Sequence, residues 1–359
     1  MTAPQAQAFV NRIGTALPPN DVHPAFLDFA RTLLHSDKER AVFDRMAERS
    51  GIAHRFSDFR AGEPGADRVD ADGFFNRGRF PTTGARMALY EPRSLALALR
   101  AVEDLDIDPA EITHIVVASC TGFMAPGLDQ ILAARLGMAG SVQRATVGFM
   151  GCYAAVPALR LAADAVRADP AARVLVVNVE LCSLHMQESA DLETILSFVL
   201  FGDGCTAALV SADETGVALG PFRATTLPDS ADLITWRIGD QGFDMRLSGK
   251  VPGRIAAALR AEVEANDDGG LLCGRGIDYD LWAVHAGGRT VLDAVEQGLR
   301  LPGDALATSR AVLRDSGNMS SATIMFILAR MMDQPAGARG LAMAFGPGVC
   351  AETFTFARV

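Results

Sequence analysis

A chain of 359 residues that is 49% hydrophobic and 21% charged carries enough apolar material for one large or two medium domains. Its formal net charge of −10 and the lack of a basic run argue against a general nucleic-acid or anionic-membrane surface. No uninterrupted apolar stretch is long enough to span a bilayer, so no integral membrane association is expected.

Residues 1–5 lack the charged and apolar regions of a signal peptide. Residues 8–17 read as a short strand ending at Pro18-Pro19. Residues 24–56 have helical periodicity, and Arg45 and Arg49 fall four apart on one face. That pair reads either as a solvated face or as an anion contact. Residues 57–85, rich in Gly, Asp, Arg and Pro, form a long excursion without period. Residues 86–105 are helical in pattern. Residues 112–118 are a β-branched buried strand ending in the polar turn Ser119-Cys120-Thr121-Gly122.

A strand then leads into Gly151-Cys152-Tyr153, and residues 156–167 read as a helix. A cysteine at a helix start meets free backbone N–H groups that favour thiolate, although most free cysteines are simply small buried hydrophobes. Residues 173–180 are another buried strand, followed by Leu181-Cys182-Ser183. Phe201-Gly202-Asp203-Gly204 is a turn before a strand, and residues 213–250 read as mixed strands and loops. Residues 251–266 are helical. The last quarter repeats the pattern: strand 281–284, the turn His285-Ala286-Gly287-Gly288, helix 290–299, the turn Ser316-Gly317-Asn318, helix 323–332, strand 340–345 and the loop Gly346-Pro347-Gly348. Alternating apolar strands and helices predict an α/β molecule with a largely covered sheet.

Cys152, His285 and Asn318 each stand in a turn at an element boundary. Together they could run thiol acyl chemistry: imidazole stabilises the thiolate, and imidazole and amide N–H groups stabilise an oxyanion. Singly, His285 also reads as a satisfied core histidine and Asn318 as a helix cap. The six cysteines, at 120, 152, 182, 205, 273 and 350, form no CxxC pair and read as free thiols of a reducing, cytoplasmic compartment. The six histidines show no ligand spacing, so no metal is expected.

Gly151-Cys152-Tyr153-Ala154, Phe201-Gly202-Asp203-Gly204, His285-Ala286-Gly287-Gly288, Asn318-Met319-Ser320-Ser321 and Gly346-Pro347-Gly348, in this order, resemble the type III polyketide synthases, the chalcone synthase family, in their bacterial form. The resemblance covers essentially the whole chain. It implies a thiolase-like fold of two pseudo-duplicated βαβαβ-type halves, five-layered αβαβα, with a boundary near residues 1–220 and 221–359. It implies a homodimer that uses an acyl-CoA starter and malonyl-CoA and needs no cofactor beyond these CoA thioesters. Cys152, His285 and Asn318 match the catalytic triad, and Phe201 a gatekeeper phenylalanine. Cys120, Cys182, Met245 and Ser320 match pocket positions. Arg45, Arg49, Gly287 and Gly288 match the CoA path, where Val42 replaces a third cation.

The departures lie in the pocket. Cys120, Cys182 and His185 stand where plant enzymes have threonines, and Met245 stands at a second gatekeeper phenylalanine. Trp236 falls near a glycine that shapes the starter pocket. These changes speak against a phenylpropanoid starter and for a fatty acyl or malonyl one, with a pyrone, resorcinol or polyhydroxyarene product. The alternative is a ketoacyl synthase III-like single condensation using an acyl carrier protein.

Overall fold

The computed structural model describes residues 6–359, so the reading of residues 1–5 lies outside the described residues. Nine strands make one hydrogen-bonded sheet, in the order Leu281–Val284, Arg339–Gly346, Cys350–Arg358, Val217–Thr226, Phe9–Ala16, Asp203–Ser211, Val174–Leu181, His114–Ser119 and Gln143–Gly148. Its seam is short: only Phe9 and Val10 pair with Ala218 and Val217. Outward from the seam each half repeats one pattern, two antiparallel pairings and then parallel pairing. This is the duplication of a thiolase-like fold.

The apolar runs explain the layers. In Val174–Leu181 every residue is buried, and alternate side chains enter different cores. Val174 and Val176 face the central core, while Leu175, Val177 and Val179 face the outer one beside Leu97 and Ala101 of helix Thr83–Leu105. Helices Ala155–Ala168 and Ala322–Met331 hold equivalent places, each preceding the corresponding strand of its half. They pack against each other between the halves. Helices Val251–Ala265 and Arg289–Leu299 pack together against the C-terminal half. The residues before the two central helices, Cys152 and Asn318, are thereby brought to one place.

One expectation changes and two gain detail. Residues 24–56 form two helices, His23–Leu33 and Asp37–Ser50, not one. The break is a capping box: Ser36 Oγ accepts from Glu39 N–H at 3.2 Å, and the Glu39 carboxylate accepts from Ser36 N–H at 2.9 Å. Residues 234–247 form a two-stranded hairpin, Ile234–Gly239 with Gly242–Leu247, outside the main sheet. The excursion 57–85 is held by its own aromatic residues, with Phe59, Phe75 and Phe80 buried and packed ring against ring.

Candidate active site

Cys152 sits in a single turn of 3-10 helix, Gly151–Tyr153, just before the helix Ala155–Ala168. Pro157 is the third residue of that helix, where a missing N–H costs no hydrogen bond. Gly151 adopts φ 73°, and a Cβ there would lie 2.2 Å from Pro347 Cδ. Only glycine lets the Gly346-Pro347-Gly348 loop press against the cysteine turn. On the other side, Gly151 N–H donates to Cys120 Sγ at 2.9 Å.

Asn318 is fixed by its neighbours. Its backbone pairs with the Leu200–Gly202 segment: Asn318 N–H donates to Leu200 O at 2.9 Å, and Gly202 N–H to Asn318 O at 3.0 Å. Ser320 N–H donates to Asn318 Oδ1 at 2.9 Å, so the amide nitrogen points the other way and donates to Gly287 O at 3.2 Å. One of its two amide hydrogens remains for a ligand. Ser320 holds φ 47°, an uncommon backbone state for a non-glycine residue. His285 lies at the end of strand Leu281–Val284, fully enclosed, and neither ring nitrogen has a hydrogen-bond partner. A buried imidazole unsatisfied on both sides is a group waiting for a ligand.

Cys152, His285, Asn318, Phe201, Cys120, Cys182, Met245, Ser320 and Gly287 all line one cavity. Burial pushes the Cys152 thiol up to about 11, with the Glu180 carboxylate pushing the same way and the Ser320 and Asn318 side chains opposing. Burial drives His285 down to about 3. Burial thus opposes charge on both groups, the direction against which a thiolate–imidazolium pair has to form. Burial likewise raises the Cys120 and Cys182 thiols, so both act as small apolar wall groups.

Gly288, Arg45 and Arg49 stand outside the cavity. Arg45 and Arg49 are exposed on Asp37–Ser50 and form no ion pair among the described residues. Arg289 Nη1 donates to Arg49 O at 3.3 Å, so the helix end lies beside the Gly287-Gly288 turn. Val42 is half-buried and offers no charge there.

Three buried charged residues escaped the sequence reading. Glu180, fully enclosed, accepts from Cys120 N–H and Thr121 Oγ1, each at 3.0 Å, and from Ser321 Oγ. It ties the Cys120 turn to the start of helix Ala322–Met331. Arg55, also fully enclosed, donates from Nη1 to Phe201 O at 2.9 Å and Phe198 O at 3.0 Å, and from Nε to His23 Nδ1 at 2.7 Å. It anchors the backbone of Phe201. Asp203 accepts from Ser183 N–H at 2.7 Å and Ser183 Oγ at 2.6 Å. For Glu180 and Asp203 the available signal was a lone acid in an otherwise apolar strand, whereas Arg55 carried none.

The duplicated α/β sheet and the convergence of cysteine, histidine and asparagine in one apolar cavity define an acyl-transferring enzyme of thiolase-like fold. The chain belongs to the chalcone and stilbene synthase family, the type III polyketide synthases: residues 2–214 match the N-terminal domain of chalcone and stilbene synthases and residues 222–359 the C-terminal domain. It is 32% identical to the alpha-pyrone synthesis polyketide synthase-like Pks18 of Mycobacterium tuberculosis, over 98% of this chain and 92% of that protein. It is 31% identical to the 1,3,6,8-tetrahydroxynaphthalene synthase of Streptomyces griseus, over 91% of this chain and 86% of that one. Among solved structures, the PKS-I of the brown alga Ectocarpus siliculosus superposes with TM-score 0.86 at 27% identity, each chain covered in full (100%). The tetrahydroxynaphthalene synthase of Streptomyces coelicolor superposes with TM-score 0.84 at 28% identity, over 98% of this chain and 99% of that one.

Proposed function

We propose that this enzyme loads the acyl group of a CoA thioester on Cys152, extends it by repeated decarboxylative condensation with malonyl-CoA, and cyclises the chain to a pyrone, resorcinol or polyhydroxyarene. The convergence of Cys152, His285 and Asn318 on one apolar cavity, with both nitrogens of His285 unengaged, carries the reading. In loading, Cys152 Sγ attacks the thioester carbonyl while His285 takes the thiol proton. The Asn318 amide donates to the oxyanion. Collapse expels CoA thiolate, which takes the proton back from His285. In extension, the malonyl carboxylate leaves as carbon dioxide, and its bonding pair passes to an enolate held by N–H donors of His285 and Asn318. The enolate carbon attacks the Cys152 thioester and the cysteine thiolate departs. The lengthened chain, now on CoA, returns to Cys152 by the loading step.

Phe201 presents an apolar face to the malonyl carboxylate, which favours its loss as a neutral molecule. Cys120, Cys182, Met245 and Ser320 shape the pocket. Arg45 and Arg49 meet the CoA phosphates, and the Gly287-Gly288 backbone lets the pantetheine arm pass. The enzyme needs CoA thioesters and no further cofactor. The two relatives named for a pyrone and a polyhydroxynaphthalene support those product classes.

The same proposal makes the enzyme a cytoplasmic homodimer with halves 1–220 and 221–359. Six unpaired thiols fit a reducing compartment. Strand Gln143–Gly148 is an exposed sheet edge with one face of backbone groups unpaired, and Phe123 is exposed nearby against Phe149. Such an edge invites a second copy. Among the described residues no helix is long and apolar enough to cross a membrane.

The test is incubation of the purified chain with malonyl-CoA and a panel of acyl-CoA starters, without carrier protein. Products carrying more than one extension are expected. A single condensation that requires an acyl carrier protein would overturn the reading.

A further inference from the structure

Three polar side chains lie in one row across neighbouring strands of the main sheet, away from the catalytic cavity. Asn178 of Val174–Leu181 stands opposite Thr206 of Asp203–Ser211, and Thr206 stands opposite Thr15 of Phe9–Ala16. All three face the central core. Val174 and Val176 lie there, as do Ala208 and Val210, each an even number of residues from the row. Ile13 and Leu17 pack against the same core on either side of Thr15.

Asn178 and Thr206 are fully enclosed. Asn178 Oδ1, Asn178 Nδ2 and Thr206 Oγ1 nevertheless have no hydrogen-bond partner among the described residues. Each such group left dry costs about 1–3 kcal/mol. Directly opposed residues have Cβ atoms about 5 Å apart, a separation at which one water joins an amide to a hydroxyl. Buried water takes about two to four polar partners, and these side chains supply them.

The row has a wet end and a catalytic end. Phe9–Ala16 pairs with Val217–Thr226 only through Phe9 and Val10, so the seam opens beyond Val10, and Thr15 is half-buried there. At the other end stands Glu180, two residues from Asn178 and about 7 Å along the same face, a gap that water spans. Glu180 accepts from Cys120 N–H and Ser321 Oγ. Cys120 and Ser320, the neighbour of Ser321, line the catalytic cavity. Burial raises the Glu180 carboxyl to about 7, so it gains and loses a proton near neutral pH.

Each extension in the polyketide synthase reading above consumes a proton. Carbon dioxide leaves without one, the cysteine thiolate departs, and the next loading step starts from the thiol. Resting on that reading, we propose that Thr15, Thr206 and Asn178 hold a file of water molecules that carries protons from solvent to Glu180, which passes one to the Cys152 thiolate, through water in the cavity, after each extension. Hydronium or a buffer acid at the seam gives up the proton, and the thiolate takes one to become the thiol. The pantetheine arm can then fill the entrance while the proton arrives from the opposite side of the sheet seam. Loading alone draws nothing through the file, because the thiol proton leaves with CoA. None of the three row residues lines the cavity, and they act as positioning residues for water.

The experiment compares the native enzyme with Thr206→Val and with Asn178→Leu/Thr206→Val, which keep the approximate shape and remove the polar groups. Single-turnover acylation of Cys152 is read by mass spectrometry, with acetyl-CoA or octanoyl-CoA as starter, whichever loads faster. Multiple-turnover extension with malonyl-CoA is read by product release. Both variants should load Cys152 within about twofold of the native rate and extend at least about tenfold more slowly, with KM for malonyl-CoA nearly unchanged. Thr206→Ser, which keeps the hydroxyl, should extend within about twofold of native. A crystal structure of the native enzyme should show ordered water bonded to both Asn178 and Thr206. A direct Asn178–Thr206 hydrogen bond without water would overturn the proposal. Unchanged extension in Thr206→Val would do the same, as would equal losses in loading and extension, the mark of a merely structural role. A native protein that neither acylates Cys152 nor releases carbon dioxide from malonyl-CoA would remove the underlying reading itself, an outcome distinct from all of these.

Discussion

Cys152, half-buried, is set apart from the buried thiols by sharing a cavity with an unengaged histidine and an amide with a spare hydrogen. Burial opposes charge on both the thiol and the imidazole, so the proposed transfer of the proton to His285 has to be coupled to formation of the carbon–sulfur bond. Replacing Cys152 by Ala should abolish acyl-enzyme and lower product formation by at least about a thousandfold. It leaves His285 and Asn318 intact, so slow malonyl-CoA decarboxylation should persist. Mass spectrometry and carbon dioxide release read the two outcomes separately, and unchanged turnover would show the nucleophile to be another group. Arg45 and Arg49 act at longer range. As exposed cations they should contribute through substrate binding and be screened by salt. Arg45→Ala and Arg49→Ala should each raise KM for malonyl-CoA by roughly three- to tenfold with kcat nearly unchanged, and the effect should shrink at high salt. A fall in kcat at constant KM would place these residues elsewhere in the cycle.

The elements that deliver these groups are held by close contacts between turns distant in sequence. The Cys152 turn meets the Gly346-Pro347-Gly348 loop at a separation that excludes a side chain on Gly151. Gly151→Ala should cost about 1–3 kcal/mol in urea unfolding and reduce kcat more than KM, because the turn that aims Cys152 must shift. A fully active, fully stable variant would mean that Pro347 yields freely. This geometry also explains what could be read in advance. Buried strands such as Val174–Leu181 announce themselves through an unbroken apolar run, and the helix after Cys152 through its period. Local chemistry left Cys152 and Asn318 with bland readings, and it was the ordered motifs around them that singled them out. The break between His23–Leu33 and Asp37–Ser50 was missed because periodicity alone runs across it, although Ser36 and Glu39 carry the capping signature. The bond from Trp236 to Cys120 joins residues 116 apart, and no local pattern reports it. Arg55 holding the Phe201 carbonyl is hidden for the same reason, with 146 residues between them.

Across the whole molecule, buried titratable groups set how stability responds to pH, and they pull in opposite directions. Burial drives His23 down to about 4 and His185 and His285 to about 3. The unfolded chain binds these protons first, so their contribution falls as pH drops below the unfolded value near 6.5. Glu180 and Asp203 behave oppositely, each raised by burial to about 7. Between the ordinary carboxyl range and 7 the folded protein keeps a proton that the unfolded chain has lost. Their contribution is therefore greatest at or below the unfolded value and declines as pH rises towards 7. Glu180 is the clearer case, because it forms no ion pair among the described residues and its donors, Cys120 N–H, Thr121 and Ser321, are neutral. Tyr90, Cys152, Cys182 and Cys205, which also feel its charge, supply no cation. Glu180→Gln keeps the shape and removes the charge. Relative to the native protein it should gain stability from pH 5 to about pH 7 and then level off, reaching on the order of 3 kcal/mol. It should also speed alkylation of Cys152 at pH 8, since the carboxylate holds that thiol up. Urea unfolding of both proteins at pH 5, 6, 7 and 8 measures the first effect, and iodoacetamide labelling the second. A stability difference that stays flat across that range would mean that Glu180 does not change protonation there. The strand end joining Cys120 to Ser321 would then hold its carboxylate in a single charge state throughout.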